Sequence, residues 1–500
     1  MARSTKRPAD YDLVEPDASA MLESLRAFGY STPAAIADLI DNSITAGAKN
    51  VWIAFHWDGR NSHVSVLDDG RGMGEAELVA AMRAGSRSPL EERSAADLGR
   101  FGLGLKTASF SQCRQLTVAS RAKGCDPASR RWDLDYVREH REWRLLRTPA
   151  PGSAARLAVL DAMTQGTLVL WETMDRVVPD DDVGSETDHS RFRDLIDAVE
   201  EHLGMVFHRF IGSAFKVFIN GRQPRHQVKP WNPFLPSHEA TQQFPEENIP
   251  TPSGVVTVRP YVLPHKDRLG EKQHEAARGP AGWNAQQGFY VYRNERLLVP
   301  GDWLGLGYTK EEHYKLARIQ IDLPNTMDSD WDIDVKKSRA RPPGAIRDRL
   351  RMIADIARGR AVEVYRHRGR YAARNAPGPE AFAWVPGQRK DRVVYAINRG
   401  HPLTAAVLAA AGDGRPALEA LLRLLEETVP VRQIWLDAAQ KPDGHAKPFE
   451  EVADRDVKQV MTLVYQALRR GGHSPAAAKE RVATMDAFAG HPQLTATLAD

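Results

Sequence analysis

The sequence ADLIDNSITAGA, residues 37–48, decides how the first part of the chain is interpreted. It lies in a well-bounded predicted helix: Thr32 can cap the start, Pro33 suits the first turn, and Gly47 suits the position after the end. At 100° per residue, four polar side chains share the arc opposite the apolar one: Asp38, Asp41, Asn42 and Thr45. Taken alone, this pattern is typical of an amphipathic helix with a solvated polar face.

A second motif, SVLDDGRGMG at residues 65–74, follows an alternating apolar strand. Asp68 ends that strand, and a carboxylate there can accept a hydrogen bond from the exocyclic amine of a base. Gly70 and Gly72 would let a flat base approach the backbone, and Met73 would offer it an adaptable apolar contact. The alternative is an ordinary Asp-Gly turn that binds nothing.

A third motif, DLGRFGLGLKTASFS at residues 97–111, is rich in glycine and runs into an apolar helical pattern near Leu103. Free backbone N–H groups at such a helix start would face an anion, and Lys106 and Thr107 would add a charge and a hydroxyl. A Walker A loop needs contiguous Gly-Lys-Thr, which this stretch lacks. The motif therefore predicts an anion site of another kind.

In this order and at this spacing, the motifs resemble those of the GHKL ATPases, which include gyrase-type topoisomerases, an ATP-dependent heat-shock chaperone, histidine kinases, MutL and MORC. DLIDN matches the N-box, DDGRGMG the adenine box, GRFGLGLKTAS the phosphate box, and QGTLVLWETMD the fourth element. The resemblance implies an N-terminal Bergerat-type α/β sandwich within residues 1–213. The wider resemblance is to the prokaryotic MORC/MutL-like group.

The resemblance also implies residue roles. Asn42 would coordinate Mg²⁺, while Asp68 would bind the adenine amino group with support from Thr167 through a water. Asp38 would orient or deprotonate the attacking water at a position where hydrolysing members usually carry Glu. Because Asp is one methylene shorter, and a misplacement of ~1 Å can lower a rate about a hundredfold, slow turnover is expected. Asp41 is interpreted as structural and solvent-facing.

Residues 85–104 would form a lid over the phosphates. The predicted ATP-binding residues are Asn42, Asp68, Gly70, Gly72, Met73, Gly99, Gly102, Leu103, Gly104, Lys106, Thr107 and Thr167.

Two further domains are expected after the first. FINGRQ and GFYVYRNERLL resemble the ribosomal S5-like transducer domain of MutL, gyrase and MORC, predicted here at residues 214–375. That domain contributes a lysine to the γ-phosphate, and in DSDWDIDVKKSRA an apolar strand followed by a turn would present Lys336 or Lys337. Residues 376–500 carry no chemical motif and are predicted to form a mainly helical dimerisation or interaction region.

Residues 336–374 are strongly basic and include two interleaved tyrosines, a composition typical of sequence-indifferent phosphate contacts. The tentative DNA-contacting residues are Arg347, Arg351, Arg358, Arg366 and Arg370. The alternative is a solvated helix whose arginines pair with Asp348, Asp355 and Glu363.

Bulk properties are consistent with a soluble multidomain protein. A chain of 500 residues, 42% hydrophobic and 27% charged, is expected to fold as three domains. No apolar run approaches the ~18 residues that a membrane span needs, so we expect a cytoplasmic protein that makes no membrane contact. Only Cys113 and Cys125 occur, which excludes a disulfide framework and a four-thiolate zinc site. A net charge of +3 identifies no partner.

The sequence thus favours a Mg²⁺-dependent, slowly hydrolysing ATPase that acts as a nucleotide-gated homodimeric clamp, with DNA as the expected substrate and with unidentified protein partners. Repair, restriction or phage defence, and DNA compaction are the implied settings. The main alternative is a non-hydrolysing scaffold that recruits partners. A histidine kinase is disfavoured because residues 1–35 contain no histidine, and a chaperone leaves the basic segment unexplained.

Overall fold

The computed structural model describes residues 12, 16–27, 29–83, 85, 104–177, 185–212, 214–333, 340–366, 383–389, 392–430, 448–449, 452–488 and 490–498. The chain divides into two compact units, Met1–Gly369 and Arg370–Asp500. The predicted class, an α/β sandwich followed by a second α/β region and a mainly helical end, is confirmed.

Six strands form the first sheet: β1 Asn50–His56, β2 His63–Asp68, β3 Gln115–Arg121, β4 Ala128–Asp133, β5 Gly166–Glu172 and β6 Lys216–Ile219. Their order is β4-β3-β5-β2-β1-β6, and every neighbouring pair is antiparallel except β1 and β6, which are parallel. Strand β2 alternates partly buried and buried residues in its first half, and β5 is buried along almost its whole length. Both patterns agree with central positions in the sheet.

Seven helices accompany this sheet: α1 Ala18–Arg26, α2 Thr32–Thr45, α3 Glu75–Met82, α4 Gly104–Phe110, α5 Leu134–His140, α6 Ala154–Leu157 and α7 Glu186–Val206. Helix α2 packs against α4 and α7 over a core in which Ile36 and Ile40 are fully buried. The packed helices therefore place the N-box next to the phosphate box and next to α7.

The start of α2 differs from the prediction. Ser31, not Thr32, is the N-cap, and its hydroxyl accepts from the Ala34 N–H, while Thr32 donates to the Gln112 side chain at 2.6 Å. Thr32 is buried against α4, so its hydroxyl is used for packing between elements. The predicted stop is confirmed, because Gly47 follows the helix with a φ of 73°.

The strand within FINGRQ lies in the first sheet. It was expected to begin the second domain after residue 213, but β6 pairs in parallel with β1, and the Asn220 side chain accepts from the Phe55 N–H at 2.8 Å. The reason is long-range pairing with β1, which the local pattern does not reveal.

The second sheet contains β7 Gln242–Gln243, β8 Glu247–Thr251, β9 Gly254–Val262, β10 Gly288–Arg293, β11 Arg296–Asp302 and β12 Ala317–Leu323. The order is β11-β10-β12-β9-β7, with β8 also paired to β9. Strands β10 and β11 form a hairpin, and its turn residues Asn294 and Glu295 both have positive φ, as a type I′ turn requires.

Three helices belong to this second region: α8 Glu271–Arg278, α9 Gly282–Ala285 and α10 Gly344–Arg366. Helix α10 packs against β9 and β12, and its buried side chains recur at helical spacing: Ile346, Leu350, Ala354, Ala357 and Ala361. The stretch 328–333 was predicted as an apolar strand, but it forms turns around the fully buried Trp331.

The second unit contains one hairpin and five helices among its described residues: β13 Trp384–Arg389, β14 Arg392–Ile397, α11 Pro402–Ala410, α12 Arg415–Glu427, α13 Asp454–Arg470, α14 Pro475–Thr484 and α15 Pro492–Thr495. Its core consists mainly of α13 side chains packed on α14. Across the described part of the whole chain, no helix is long and apolar enough to span a membrane.

Candidate functional site

The Asp68 carboxylate lies at the end of β2 and is buried. Its two oxygens accept hydrogen bonds from neutral groups: Oδ1 from the Gly70 N–H and Oδ2 from the Ser43 hydroxyl, each at 2.9 Å. Burial raises the pKa of the Asp68 carboxyl, and the two hydrogen bonds act in the opposite direction. The second predicted motif therefore presents a desolvated carboxylate held by the N-box helix.

Thr167 lies directly opposite Asp68 in the β2–β5 pair. Its hydroxyl lies 2.8 Å from the Ser120 hydroxyl of β3. The Ser120 hydroxyl also accepts from the Met73 N–H at 2.8 Å. One serine thus connects the loop after Asp68 to the strand that carries Thr167.

The glycines of the second motif are also required by close packing within the chain. Gly72 has a φ of 66°, and a Cβ there would lie 1.9 Å from the carbonyl oxygen of Arg121. A Cβ at Gly70 would lie 2.9 Å from Oδ1 of Asp68. Both glycines let the loop approach other parts of the chain closely, which fixes Asp68 in place.

Asn42 is exposed in the last turn of α2, one residue before Ser43. Its amide oxygen is a hard ligand of the kind that Mg²⁺ accepts, and Mg²⁺ usually keeps several waters and takes few protein ligands. Among the described residues, no group of three or more His, Cys, Asp or Glu side chains is arranged to hold a metal ion. Asn42 therefore fits a cation that is bound largely by nucleotide phosphates.

The phosphate box begins helix α4 at Gly104, as expected. A Cβ at Gly104 would lie 3.5 Å from Oδ2 of Asp38, so the helix start lies beside that carboxylate. Lys106 is buried and its ammonium donates to the carbonyl oxygen of Ala81 at 2.9 Å, at the end of α3. Burial lowers the pKa of Lys106 to about 8.

Asp38 and Asp41 are buried rather than solvated. Their side chains are 4% and 1% exposed, and Arg296 of the β10–β11 hairpin covers them. Its Nε lies 3.1 and 3.2 Å from the two oxygens of Asp41, and its Nη2 lies 3.9 Å from Oδ1 of Asp38. The prediction of a solvent-facing Asp41 was wrong, because the second sheet supplies a buried cation. The polar face of the helix is solvated only in part, at the exposed Asn42 and Thr45.

Two histidines of the α7 region lie close to this boundary between the sheets. Burial and, to a smaller extent, the nearby Arg296 charge lower the pKa of His202 to about 4, and Asp41 opposes the shift. Burial lowers the pKa of His208 to about 3, and its Nε2 lies 2.8 Å from the Tyr292 hydroxyl. Both imidazoles are therefore neutral near pH 7.

Several predicted residues fall outside the described part of the chain: Gly99, Gly102, Leu103, Lys336, Lys337 and Arg370. Arg366 ends α10, but its side chain is likewise outside the description. Most of the lid predicted at residues 85–104 is also outside it. Their roles stay predictions.

The described arginines of α10 contact groups of the same chain. Arg351 pairs with Asp348 at 2.5 Å, and the Arg347 Nη2 donates to the Gly305 carbonyl at 3.0 Å. Arg358 lies 4.2 and 3.9 Å from the ring centroids of Tyr308 and Tyr314, a cation–π arrangement. Arg349 pairs with Glu247, and Arg360 pairs with Glu363. The DNA contacts stay predictions.

Residues 30–167 match the family described as histidine kinase-, DNA gyrase B- and HSP90-like ATPase. The chain carries a GHKL ATPase domain. This match spans the N-box, the adenine and phosphate boxes and the first residues of β5, so it includes Asp38, Asn42, Asp68, Lys106 and Thr167.

Similar proteins match over stretches of 90 to 98 residues. DNA mismatch repair protein MutL of Acidiphilium cryptum is 33% identical over 98 residues, 19% of this chain and 17% of that protein. MutL of Rhodospirillum rubrum is 35% identical over 95 residues, 19% of this chain and 15% of that protein. ATPase morc-1 of Caenorhabditis elegans is 31% identical over 90 residues, 18% of this chain and 10% of that protein. The matches thus cover 17% or less of each relative, and they support assigning this GHKL domain to a MORC/MutL-like group.

Sequence reasoning missed three residues of this site. Ser43 directly follows Asn42 in the N-box, and this position could have indicated a role in the site. Helical spacing did not group it with the polar residues of α2. Ser120 lies in a buried strand and has no motif of its own. Arg296 is 255 positions from Asp41 along the chain, so no local pattern connects them.

Proposed function

We propose that this protein is a Mg²⁺-ATP-binding, slowly hydrolysing ATPase that works as a nucleotide-gated dimeric clamp on DNA. One observation supports the enzymatic part of the proposal: within a GHKL domain, helix α2 contributes to two buried carboxylate sites with different tasks, one at Asp68 and one at Asp38. Its Ser43 fixes Asp68 for a base, and its own Asp38 lies beside the start of the phosphate-box helix.

Asp68 would recognise the adenine amino group. The carboxylate can accept more hydrogen bonds than its two neutral donors use, and its buried position would exclude competing water. Thr167 lies opposite it and would support the same edge of the base through a water. Met73 is half-buried next to this loop and would pack on the base.

Asp38 would orient or deprotonate the attacking water. Its Oδ2 faces the Gly104 end of α4, where free backbone N–H groups of the helix start would donate to phosphate oxygens. Bound Mg²⁺ would neutralise phosphate charge, and Asn42 would supply its protein ligand. The shorter reach of Asp compared with Glu supports slow turnover.

Steady-state phosphate release tests this proposal. Wild-type protein should release phosphate, and Asp38→Asn should lower kcat about a hundredfold or more, as expected for loss of a general base, while ATP affinity measured by calorimetry changes little. Asp135→Asn is the matched control, because Asp135 is a half-exposed carboxylate paired with arginine on α5. Equal rates for wild type and Asp38→Asn would contradict the proposed catalytic role.

A non-hydrolysing nucleotide-dependent scaffold is the second candidate. It is favoured by the partial neutralisation of Asp38 by Arg296 and by the Asp at a position usually occupied by Glu. The scaffold predicts ATP binding with the same background phosphate release in wild type and Asp38→Asn.

The clamp proposal requires the dimer to bind ATP more tightly than the monomer does, because a ligand shifts an equilibrium only through differential affinity. Lys336 or Lys337 would read the γ-phosphate. Light scattering with a non-hydrolysable ATP analogue should show the mass doubling, and Asp68→Asn should shift that change to a roughly thirtyfold higher analogue concentration. A monomer at every protein concentration with saturating analogue would contradict the clamp.

DNA as the substrate is proposed from two facts: some of the relatives are DNA mismatch repair proteins, and α10 carries exposed arginines. Arg351 and Arg360 are about half exposed, and their i,i+3 ion pairs are of the kind worth only about 0–1 kcal/mol, so phosphates can replace the carboxylates. DNA affinity should fall linearly with salt on a log–log plot. Charge reversal at Arg351 and Arg360 should weaken binding, whereas Arg191→Glu on α7 should not.

A further inference from the structure

We propose that Arg296, a residue of the second sheet, is a positioning residue for Asp38 and makes hydrolysis depend on docking of the β10–β11 hairpin against the N-box helix. This inference rests on the proposed ATPase function and adds to it a group that the GHKL domain does not contain, since Arg296 lies outside residues 30–167.

The Arg296 guanidinium is held from several sides. Nε lies 3.1 and 3.2 Å from the two oxygens of Asp41, and Nη1 donates to the Leu297 carbonyl at 2.9 Å. Its Cζ lies 5.6 Å from the ring centroid of Phe207, at the end of α7. With 6% of the side chain exposed, this planar group has one orientation fixed by its neighbours.

That orientation directs Nη2 toward Asp38. Nη2 lies 3.9 Å from Oδ1 of Asp38, while Oδ2 of the same carboxylate faces the Gly104 start of α4. The cation therefore holds one oxygen and leaves the other for the phosphate side. Because general-base catalysis needs a base within hydrogen-bond reach of its proton, the direction of this short side chain decides whether it can act.

Asp41 has a different task from Asp38 in this cluster. It is the more buried of the two carboxylates and makes the closer contacts to Arg296. It anchors the guanidinium, and the guanidinium orients Asp38. Among the described residues, the cluster contains two carboxylates and one guanidinium, and His202 beside it is neutral near pH 7 because burial lowers its pKa.

An ion pair comparable to Arg296–Asp41 lies at the same boundary between the two sheets, away from Asp38. Arg209, just after α7, pairs with Asp322 and with Glu295 at 2.9 Å, and its guanidinium lies 3.5 Å from the Tyr292 ring centroid. It too joins the end of α7 to the second sheet. A residue that acted only by holding the two sheets together would behave like Arg209.

The test compares full-length variants by phosphate release and ATP affinity. Arg296→Met leaves Asp41 buried without its cation and is expected to unfold readily, so the informative variant is the double variant Asp41→Asn with Arg296→Met, in which both partners are neutral. We expect thermal stability close to wild type, unchanged ATP affinity and a kcat at least tenfold lower.

Arg296→Lys keeps the charge without the planar fork, and it should retain more turnover than the double variant. Arg209→Met should keep the wild-type kcat. The double variant could keep the wild-type kcat, or its kcat could fall no more than that of Arg209→Met. Either result would overturn the positioning role of Arg296 and leave the ATPase proposal intact. Absence of phosphate release by the wild type would overturn the ATPase proposal itself, and this role with it.

Discussion

The two ends of the candidate nucleotide site hold their carboxylates in different ways. At the adenine end, Asp68 is fixed by a hydroxyl and a backbone N–H of the same GHKL domain. At the hydrolytic end, Asp38 and Asp41 face a guanidinium that comes from the second sheet. The proposed nucleotide binding would therefore be local to one domain, whereas the proposed hydrolysis would draw on two parts of the chain. The same Asp→Asn change should consequently lower stability at the hydrolytic end and not at the adenine end.

Asp41→Asn should give the largest effect. Removing the closer carboxylate leaves the buried guanidinium with Asp38 as its remaining carboxylate among the described residues, and breaking a buried pair typically lowers the free energy of unfolding by about 3–5 kcal/mol. We expect the lower end of that range, because the amide oxygen still accepts one hydrogen bond. Chemical denaturation measures it, with Asp135→Asn as the exposed control; a loss no larger than that of the control would show that Arg296 does not depend on Asp41.

Asp68→Asn should leave stability intact and reduce ATP affinity. Its amide can accept from Gly70 and donate to Ser43, but a donor would then face the adenine amine, and losing a hydrogen bond to a charged acceptor costs about 2 kcal/mol, roughly thirtyfold in Kd. Calorimetric titration with ATP measures this loss. An affinity equal to wild type would remove Asp68 from adenine recognition.

The difference in stability between wild type and Asp68→Asn should depend on pH, because only the wild type carries a titratable carboxyl at this position. The folded protein raises the pKa of the Asp68 carboxyl above its ordinary value of 3.8, so its ionisation favours the unfolded chain as pH rises through that range. At neutral pH the variant should be at least as stable as wild type, and its advantage should shrink as pH falls toward 3.8. Urea unfolding at several pH values checks the sign, and a constant difference would contradict it.

Ser43→Ala should give the smallest effect, about 1 kcal/mol in ATP affinity, because it removes one donor to Asp68 and leaves the carboxylate in place. Ser24→Ala is the matched control, because the hydroxyl of Ser24 bonds the carbonyl four residues earlier in α1, as that of Ser43 does in α2. Equal ATP affinity in the two variants would mean that Ser43 only fills space.

The local motifs predicted much of the fold and of the adenine end. Periodicity and turn residues indicated α2, its stop at Gly47 and the strand ending in Asp68, because each depends on neighbours in the sequence. The burial of Asp41 could not be predicted in this way. It depends on a cation 255 positions away, and a helix pattern reports which residues share a face but not what covers that face.

The parallel pairing of β6 with β1 has a practical consequence for dividing the chain. A fragment that ends at residue 213 keeps every motif of the GHKL domain but lacks the strand Lys216–Ile219. Its β1 would then become an open sheet edge with unpaired backbone groups next to Val51 and Ile53, both fully or almost fully buried in the intact protein. Such edges recruit strands from other molecules. An isolated nucleotide-binding fragment should therefore extend past Asn220 to remain monodisperse.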